Sequence, residues 1–309
     1  MSQVSEWPQY TEDIQYSEDS PLNTYETCLP RPADDNTDRY WFVYIHGGAW
    51  RDPEIDASSY RKIRDVLLAS SVSDQIAGYA SINYRLSSYP SHPTNPSNPS
   101  DPARNAVHPD HVNDVLAAIL HLQETYHFRD RYILSGHSCG TTLAFQVAMK
   151  RYWGSQYEST FALELNVEPP IAIVGLHGIY DIPALLSDFY PEPEYEDFIK
   201  AAFGSADREA ISPAYGPPYH DYGESWSDGK VAVLAHSSED ELVNWKQTSM
   251  QADALRKSGF DDTGAKRVHV CTLTGGHDEV WKNGEAAKAI VLAVQELDKI
   301  RLDQSTASS

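Results

Sequence analysis

The stretch 131-RYILSGHSCGTTLAF-145 decides how this chain is read. Tyr132, Ile133 and Leu134 form a short apolar run, Gly136-His137-Ser138-Cys139-Gly140 breaks it, and the residues from Thr141 onward suit a buried helix. A strand, a Gly-x-Ser-x-Gly turn and a helix in that order hold the serine on a sharp bend at the top of a sheet, with its hydroxyl exposed. Glycines flank the bend because a Cβ at Gly136 or Gly140 would crowd the neighbouring strand and helix. The helix that begins near Ser138 aims its positive end at developing negative charge. Ser138 holds the central position, so it is the expected nucleophile in preference to Cys139. What Cys139 contributes is its backbone N–H, as an oxyanion donor.

A serine hydroxyl is a weak nucleophile until a base takes its proton, and in this plan the base is a histidine later in the chain. Among twelve histidines, His277 stands out: in "TLTGGHDEVW" it lies just past the last apolar run, in a Gly-rich loop ahead of the final helix. The acid that orients it should follow the preceding strand, where "VAVLAHSSEDELV" offers Glu239, Asp240 and Glu241. Asp240 fits the spacing His-Gly-x-x-Asp-x-x-Val usual in such folds, with Glu239 as the fallback. The order Ser…Asp…His is that of α/β-hydrolases. Donors for the oxyanion are also needed from the other side, and "YIHGGAW" (44–50) supplies them at the end of the first long apolar run. Its adjacent glycines let the N–H groups of Gly48 and Ala49 turn toward the nucleophile. His46 is expected to pin this loop by hydrogen bonding and not to act as a base.

Six short runs rich in β-branched or aromatic residues read as strands: 39–47, 75–86, 131–136, 171–178, 230–237 and 266–275. Helical patterns lie between most of them. "HPDHVNDVLAAILHLQETY" places Val112, Val115, Leu116, Ile119 and Leu122 on one stripe, and "SYRKIRDVLLAS", "NWKQTSMQADALRKSG" and "EVWKNGEAAKAIVLAVQELDKI" also read as helices. This alternation predicts an α/β fold: a mostly parallel central sheet with helices on both faces, in a single domain over 1–309. Residues 87–109, rich in Pro, Ser and Asn, are expected as an irregular loop. Residues 181–228 lack clear periodicity apart from a short helix around "YEDFIKAAFG" and form a candidate cap or loop insertion. Residues 304–309 are expected as a disordered tail.

Composition narrows the function classes. The formal charge of −21 over 309 residues excludes nucleic acid as a partner, because phosphate neutralisation needs clustered Lys and Arg. No run approaches the roughly 18 apolar residues of a membrane span. The N-terminus carries early acids and no apolar segment, unlike a secretory signal. Cys28, Cys139 and Cys271 are few, odd in number and scattered, which suits free thiols and a cytoplasmic protein. His108 and His111 flank Pro109-Asp110, but their spacing lacks a further Cys or Glu partner; capping and surface polarity are the expected reading, with no metal. No Gly-rich loop has a dinucleotide or ATP pattern, so no cofactor is expected.

With His46-Gly47-Gly48-Ala49-Trp50 in hand, the chain resembles the fungal kynurenine formamidases, α/β-hydrolases of the esterase/lipase type. Supporting matches are Gly136-His137-Ser138-Cys139-Gly140, Asn83-Tyr84-Arg85-Leu86, His108-Pro109 ahead of Asp114, and Gly178-Ile179-Tyr180-Asp181. The likeness spans roughly residues 39–300, and it departs from common hydrolase usage at Asn244, where proline often stands. It implies hydrolysis of N-formyl-L-kynurenine to L-kynurenine and formate, on the route from tryptophan toward NAD. By the same resemblance Ser138 is the nucleophile, Asp240 the orienting acid and His277 the base, with Gly48, Ala49 and Cys139 as the oxyanion hole, and the protein a homodimer. Trp50 and Tyr180 are candidates to line an aromatic slot for the substrate. Two other readings compete: a general carboxylesterase, and a hydrolase-shaped binding protein without turnover.

Overall fold

The computed structural model describes residues 6–32, 38–149, 166–216 and 220–307. The six apolar runs become strands β3 (Tyr40–Ile45), β4 (Ile76–Ile82), β5 (Tyr132–His137), β6 (Ala172–Leu176), β7 (Val231–Ser237) and β8 (Arg267–Leu273). Two further strands precede them, β1 (Gln9–Gln15) and β2 (Thr24–Leu29). All eight form one sheet in the order β1-β2-β4-β3-β5-β6-β7-β8. The pairs from β4 through β8 are parallel, whereas β1–β2 and β2–β4 are antiparallel. This is the α/β-hydrolase architecture expected from the elbow and the strand–helix alternation. β1 carries no apolar alternation to announce it. Its side chains are almost all exposed, and backbone pairing to β2, interrupted between Thr11 and Ile14, defines it.

The helices, in chain order among the described residues, are α1 (Arg61–Leu68), α2 (Asp110–Tyr126), α3 (Cys139–Ala148), α4 (Ile182–Asp188), α5 (Pro193–Phe203), α6 (Tyr222–Ser225), α7 (Trp245–Lys257), α8 (Glu279–Lys282) and α9 (Ala287–Ala307). Side chains alternate across each strand and so feed two cores. Val43, Ile45, Leu134 and Leu234 pack with Val115 and Ile119 of α2, Leu143 of α3 and Leu255 of α7. Phe42, Tyr44, Ile133 and Val233 pack on the opposite face with Ile63 and Leu67 of α1 and Ile290 and Val294 of α9. The stripe foreseen on α2 is the buried one. No helix among the described residues is long and apolar enough to cross a membrane.

The pattern at 279–300 is split into α8 and α9 at Asn283-Gly284, where Gly284 takes φ 83° against Val66 of α1. α9 continues to Ala307, so residues 304–307, expected as tail, are helical; the Ser305 and Thr306 hydroxyls donate to the Leu302 carbonyl. Residues 308–309 lie outside the described residues. The 87–109 loop is tied down by backbone bonds from Leu86 to Ala103 and from Ala106 to Leu86. Asn244 Nδ2 and Lys246 Nζ both bind Asp188, which joins the start of α7 to the end of α4 where a proline would have no donor to offer.

At the elbow the crowding inferred from sequence has a size. A Cβ on Gly136 would sit 2.2 Å from the Gly140 backbone, and one on Gly140 would sit 2.4 Å from the Ile45 and His46 carbonyl oxygens. These are backbone atoms of three packed elements, so no rotamer change relieves the overlap. Gly136→Ala is therefore expected to cost at least about 4 kcal/mol of stability or to abolish folding. A denaturant midpoint equal to wild type would contradict it.

Candidate active site

Ser138 sits between β5 and α3 with φ 53° and ψ −121°. A non-glycine residue held there costs about 1–3 kcal/mol and persists only when its surroundings over-determine it. They do. The Ser138 N–H donates to Leu176 O at 2.9 Å, the Ser138 carbonyl accepts from Thr141 N–H at 3.0 Å, and Thr141 Oγ1 donates to Gly136 O at 2.6 Å. The bend turns Ser138 into a cavity of about 280 Å³ that Gly48, Ala49 and His277 also line.

His277 comes from the loop between β8 and α8, and each of its polar groups but one is fixed by a named partner. Nδ1 lies 2.9 Å from both carboxylate oxygens of Asp240. Its backbone N–H donates to Glu241 Oε2 at 2.9 Å. Its carbonyl lies 2.9 Å from His137 Nε2 and 3.0 Å from His177 Nδ1. Nε2 makes no hydrogen bond to a described residue and is left for whatever occupies the cavity.

Asp240 follows β7 and its side chain is 1% exposed. Oδ1 accepts the backbone N–H groups of Leu242 and Val243, both at 2.9 Å. Burial alone would raise the carboxyl pKa. The hydrogen bond and charge of His277, with His177 and the Val243 N–H, outweigh it and hold Asp240 below the ordinary carboxylate value. His177 Nε2 accepts the Ser237 N–H at 3.0 Å, so its proton is on Nδ1, aimed at Asp240 Oδ2 (3.1 Å) and at the His277 carbonyl. His236 completes the ring, 3.5 Å from the same oxygen; its Nε2 donates to Val243 O and its Nδ1 meets the Thr248 hydroxyl.

Burial disfavours the charged form of several imidazoles. It pulls His108, His111 and His137 down to about 3, and His46, His177 and His220 down to about 4. In the unfolded chain each titrates near 6.5. Between about pH 6.5 and 4 the unfolded state thus binds more protons, and stability falls as pH falls through that window. One such group contributes up to about 1.4 kcal/mol per pH unit, and six together exceed a typical domain stability within two units. Acid unfolding near pH 5 is expected, read by circular dichroism against pH; a protein still folded at pH 4 would refute it.

The His46–Trp50 segment leaves β3 through three successive positive φ values: 92° at Gly48, 48° at Ala49 and 59° at Trp50. Tyr84 and Cys139 brace it. Tyr84 Oη donates to His46 O at 3.1 Å, and the Trp50 N–H donates to Cys139 Sγ at 3.2 Å. His46 stacks on Tyr84 at 4.4 Å, with Nδ1 2.9 Å from Gly47 O. The cysteine after the serine thus supports the facing loop through sulfur. Burial pushes its thiol up to about 11, which makes it a poor nucleophile at neutral pH.

Two expectations need correction. Trp50 and Tyr180 do not line the cavity; both are fully buried, Trp50 edge-on to Phe203 at 4.9 Å and Tyr180 edge-on to Phe145 at 5.7 Å. The cavity wall is instead Tyr89, Ile179, Tyr195, Phe198 and Leu242, with Arg51, Asp52, Glu194 and Asp278 as its charged members. His108 and His111 are buried, not surface groups, and His111 Nε2 pairs with Ser87 Oγ at 2.9 Å. His137, His177 and His277 bring ring nitrogens within 4.8 Å of one another, a spacing a metal could bridge. Four of the six nitrogens are already committed, however, to Asp240, the His277 carbonyl and the Ser237 N–H. Sequence reasoning gave His177, Tyr84 and Arg51 no role in this site, and offered Glu241 only as one of three acids from which Asp240 was chosen. Each stood in or beside a stretch already singled out, Tyr84 within Asn83–Leu86 and His177, Arg51 and Glu241 next to Gly178, Trp50 and Asp240, but their contacts at the site join distant parts of the chain.

No family model matches the chain. It is 39% identical over 289 residues to a kynurenine formamidase-like hydrolase of Fusarium equiseti, covering 90% of this chain and 92% of that one. It is 36% identical over 303 residues to a kynurenine formamidase of Aspergillus versicolor, covering 91% and 98%. Among solved structures, esterase B of Lactobacillus rhamnosis superposes with a TM-score of 0.67 at 16% identity, over 99% of this chain and 91% of that one, a likeness of fold.

Proposed function

The chain belongs to the kynurenine formamidase family, and on that premise we propose that it hydrolyses N-formyl-L-kynurenine to L-kynurenine and formate, with Ser138 as nucleophile, His277 as base and Asp240 as its orienting acid. The observation that carries this reading is the pairing of His277 Nδ1 with Asp240 in a loop that shares one cavity with Ser138.

Ser138 Oγ attacks the formyl carbon while His277 Nε2 takes the hydroxyl proton. The carbonyl oxygen gains the negative charge and meets the N–H groups of Gly48, Ala49 and Cys139, each such donor being worth about 3 kcal/mol in a transition state. The C–N bond then breaks, and the proton on His277 passes to the departing arylamine nitrogen. Water, giving a proton to the same imidazole, attacks the formyl ester; the ester C–O bond breaks, formate leaves and Ser138 regains its proton. A formyl group needs almost no acyl pocket, so most of the cavity is left for the amine side. Helix α5 contributes Glu194, Tyr195 and Phe198 to the wall, and Tyr195 Oη donates to Leu242 O at 2.7 Å; in this reading α5 caps the site.

The test is a direct assay of purified protein on N-formyl-L-kynurenine beside short p-nitrophenyl esters. Rapid formation of L-kynurenine is expected. Ester cleavage with formylkynurenine untouched would make the protein a general carboxylesterase. Failure of a fluorophosphonate probe to label Ser138 would make it a binding protein.

A further inference from the structure

Among the described residues that line the cavity, Arg51 alone carries a fixed positive charge. Its side chain is 8% exposed. Nη1 meets Asp197 Oδ2 at 2.5 Å, and the guanidinium lies over the Tyr89 ring, Cζ 4.0 Å from the centroid, with the Phe198 ring at 5.9 Å. A guanidinium has five N–H donors, and this pairing uses one. Nε and Nη2 make no hydrogen bond to any described residue.

These donors are not sealed from solvent; they are open on the cavity wall, where water serves them until a ligand with acceptor oxygens takes its place. The partner it does have is no competitor for an anion: the Asp197 side chain is 64% exposed, so that pair is well screened. The other charged groups on the wall, Asp52, Glu194 and Asp278, are all acids. The cavity therefore offers one place for an anion and several for a cation, the charge pattern of a zwitterion. Arg51 also follows the Gly48–Trp50 turn directly, and its own N–H donates to Gly48 O at 2.9 Å. One rigid loop thus carries the expected oxyanion donors and this guanidinium, which fixes the distance between them.

We infer that Arg51 is the anchor for the α-carboxylate of the substrate, and that Asp52 and Glu194 face its ammonium group. This rests on the formamidase reading for the identity of the ligand. The planar fork suits a carboxylate in a bidentate pose that lysine cannot copy.

The experiment uses p-nitrophenyl acetate hydrolysis as a reporter that needs no formamidase activity. L-Kynurenine and its decarboxylated counterpart kynuramine are compared as inhibitors of wild type, Arg51→Met and Arg51→Lys. Wild type is expected to bind L-kynurenine about 10- to 100-fold more tightly than kynuramine, the range of a charge-assisted hydrogen-bonded pair. In Arg51→Met the two inhibition constants should converge, with Arg51→Lys between. Equal inhibition of wild type by both compounds would overturn the inference without reference to any variant, as would a preference that survives in Arg51→Met. Inertness toward N-formyl-L-kynurenine, with the carboxylate preference intact, would sink the proposed reaction and leave the anchor standing.

Discussion

Replacing Ser138 by alanine is expected to lower kcat on N-formyl-L-kynurenine by about 10⁵- to 10⁶-fold while leaving the protein folded. The fold should survive because the elbow is held through backbone groups. The Ser138 N–H bonds Leu176 O, the Ser138 carbonyl accepts from Thr141 and Ile179, and none of these involves Oγ. Alanine meets the same cost at φ 53° as serine does, so the thermal midpoint should move by no more than about 1 kcal/mol would allow. Some rate above that in water should remain if the proposed donors at Gly48, Ala49 and Cys139 still bind an oxyanion. The measurement is initial rates with near-stoichiometric enzyme, beside a melting curve. Activity within tenfold of wild type would end the case for this nucleophile. Cys139 is no ready substitute, because its thiol is fully buried and bound to the Trp50 N–H.

What could be read from the sequence divides along a physical line. Strands β3 to β7 are apolar-rich runs buried on both faces, whereas β8 lies at the sheet edge and is partly exposed over His269–Thr272; short β-branched or aromatic runs mark all six, and their order with the intervening helices gives the sheet. β1 and β2 escaped because QYTEDIQ and TYETCL lack such a run; β1 is an edge strand placed by backbone pairing, and β2, though buried, is placed by its pairing to β1 and β4. The elbow was legible because its requirement is local: glycines two residues either side of a serine, between a strand and a helix. His277 and Asp240 were legible from their positions after β8 and β7. The partners that hold them were not. His137 reaches the carbonyl of a residue 140 positions later and His177 that of one 100 positions later, contacts that no local pattern encodes. Trp50 and Tyr180 show the opposite failure. A large aromatic beside a motif reads equally well as cavity wall or core, and only packing separates the two: Trp50 turns into the layer with Phe198 and Phe203, and its neighbour Arg51 faces the cavity.

Asp240→Asn is expected to lower kcat by about 10⁴-fold, out of proportion to its effect on stability. The Leu242 and Val243 N–H groups both point at Oδ1, so an amide there must turn its oxygen toward them and its NH₂ toward the place of Oδ2. That place faces His277 Nδ1 at 2.9 Å and His177 Nδ1 at 3.1 Å. His177 cannot yield, since its Nε2 is needed by the Ser237 N–H and its proton must stay on Nδ1. His277 can yield by giving up its bond to the oxygen at Oδ1, accepting the new NH₂ at Nδ1 and moving its proton to Nε2, which is then a donor where the proposed mechanism requires an acceptor. The enzyme would keep its serine and imidazole in place and lose the tautomer that couples them. One donor-to-donor contact in a buried site costs about 1–3 kcal/mol, enough to lower the melting point but not to unfold the protein. Fluorophosphonate labelling of Ser138 should slow by a factor similar to that for kcat, because it needs the same proton removed. A variant that labels at the wild-type rate would show that Asp240 does not set the tautomer, and would turn attention to Glu241, whose Oε2 holds the His277 N–H.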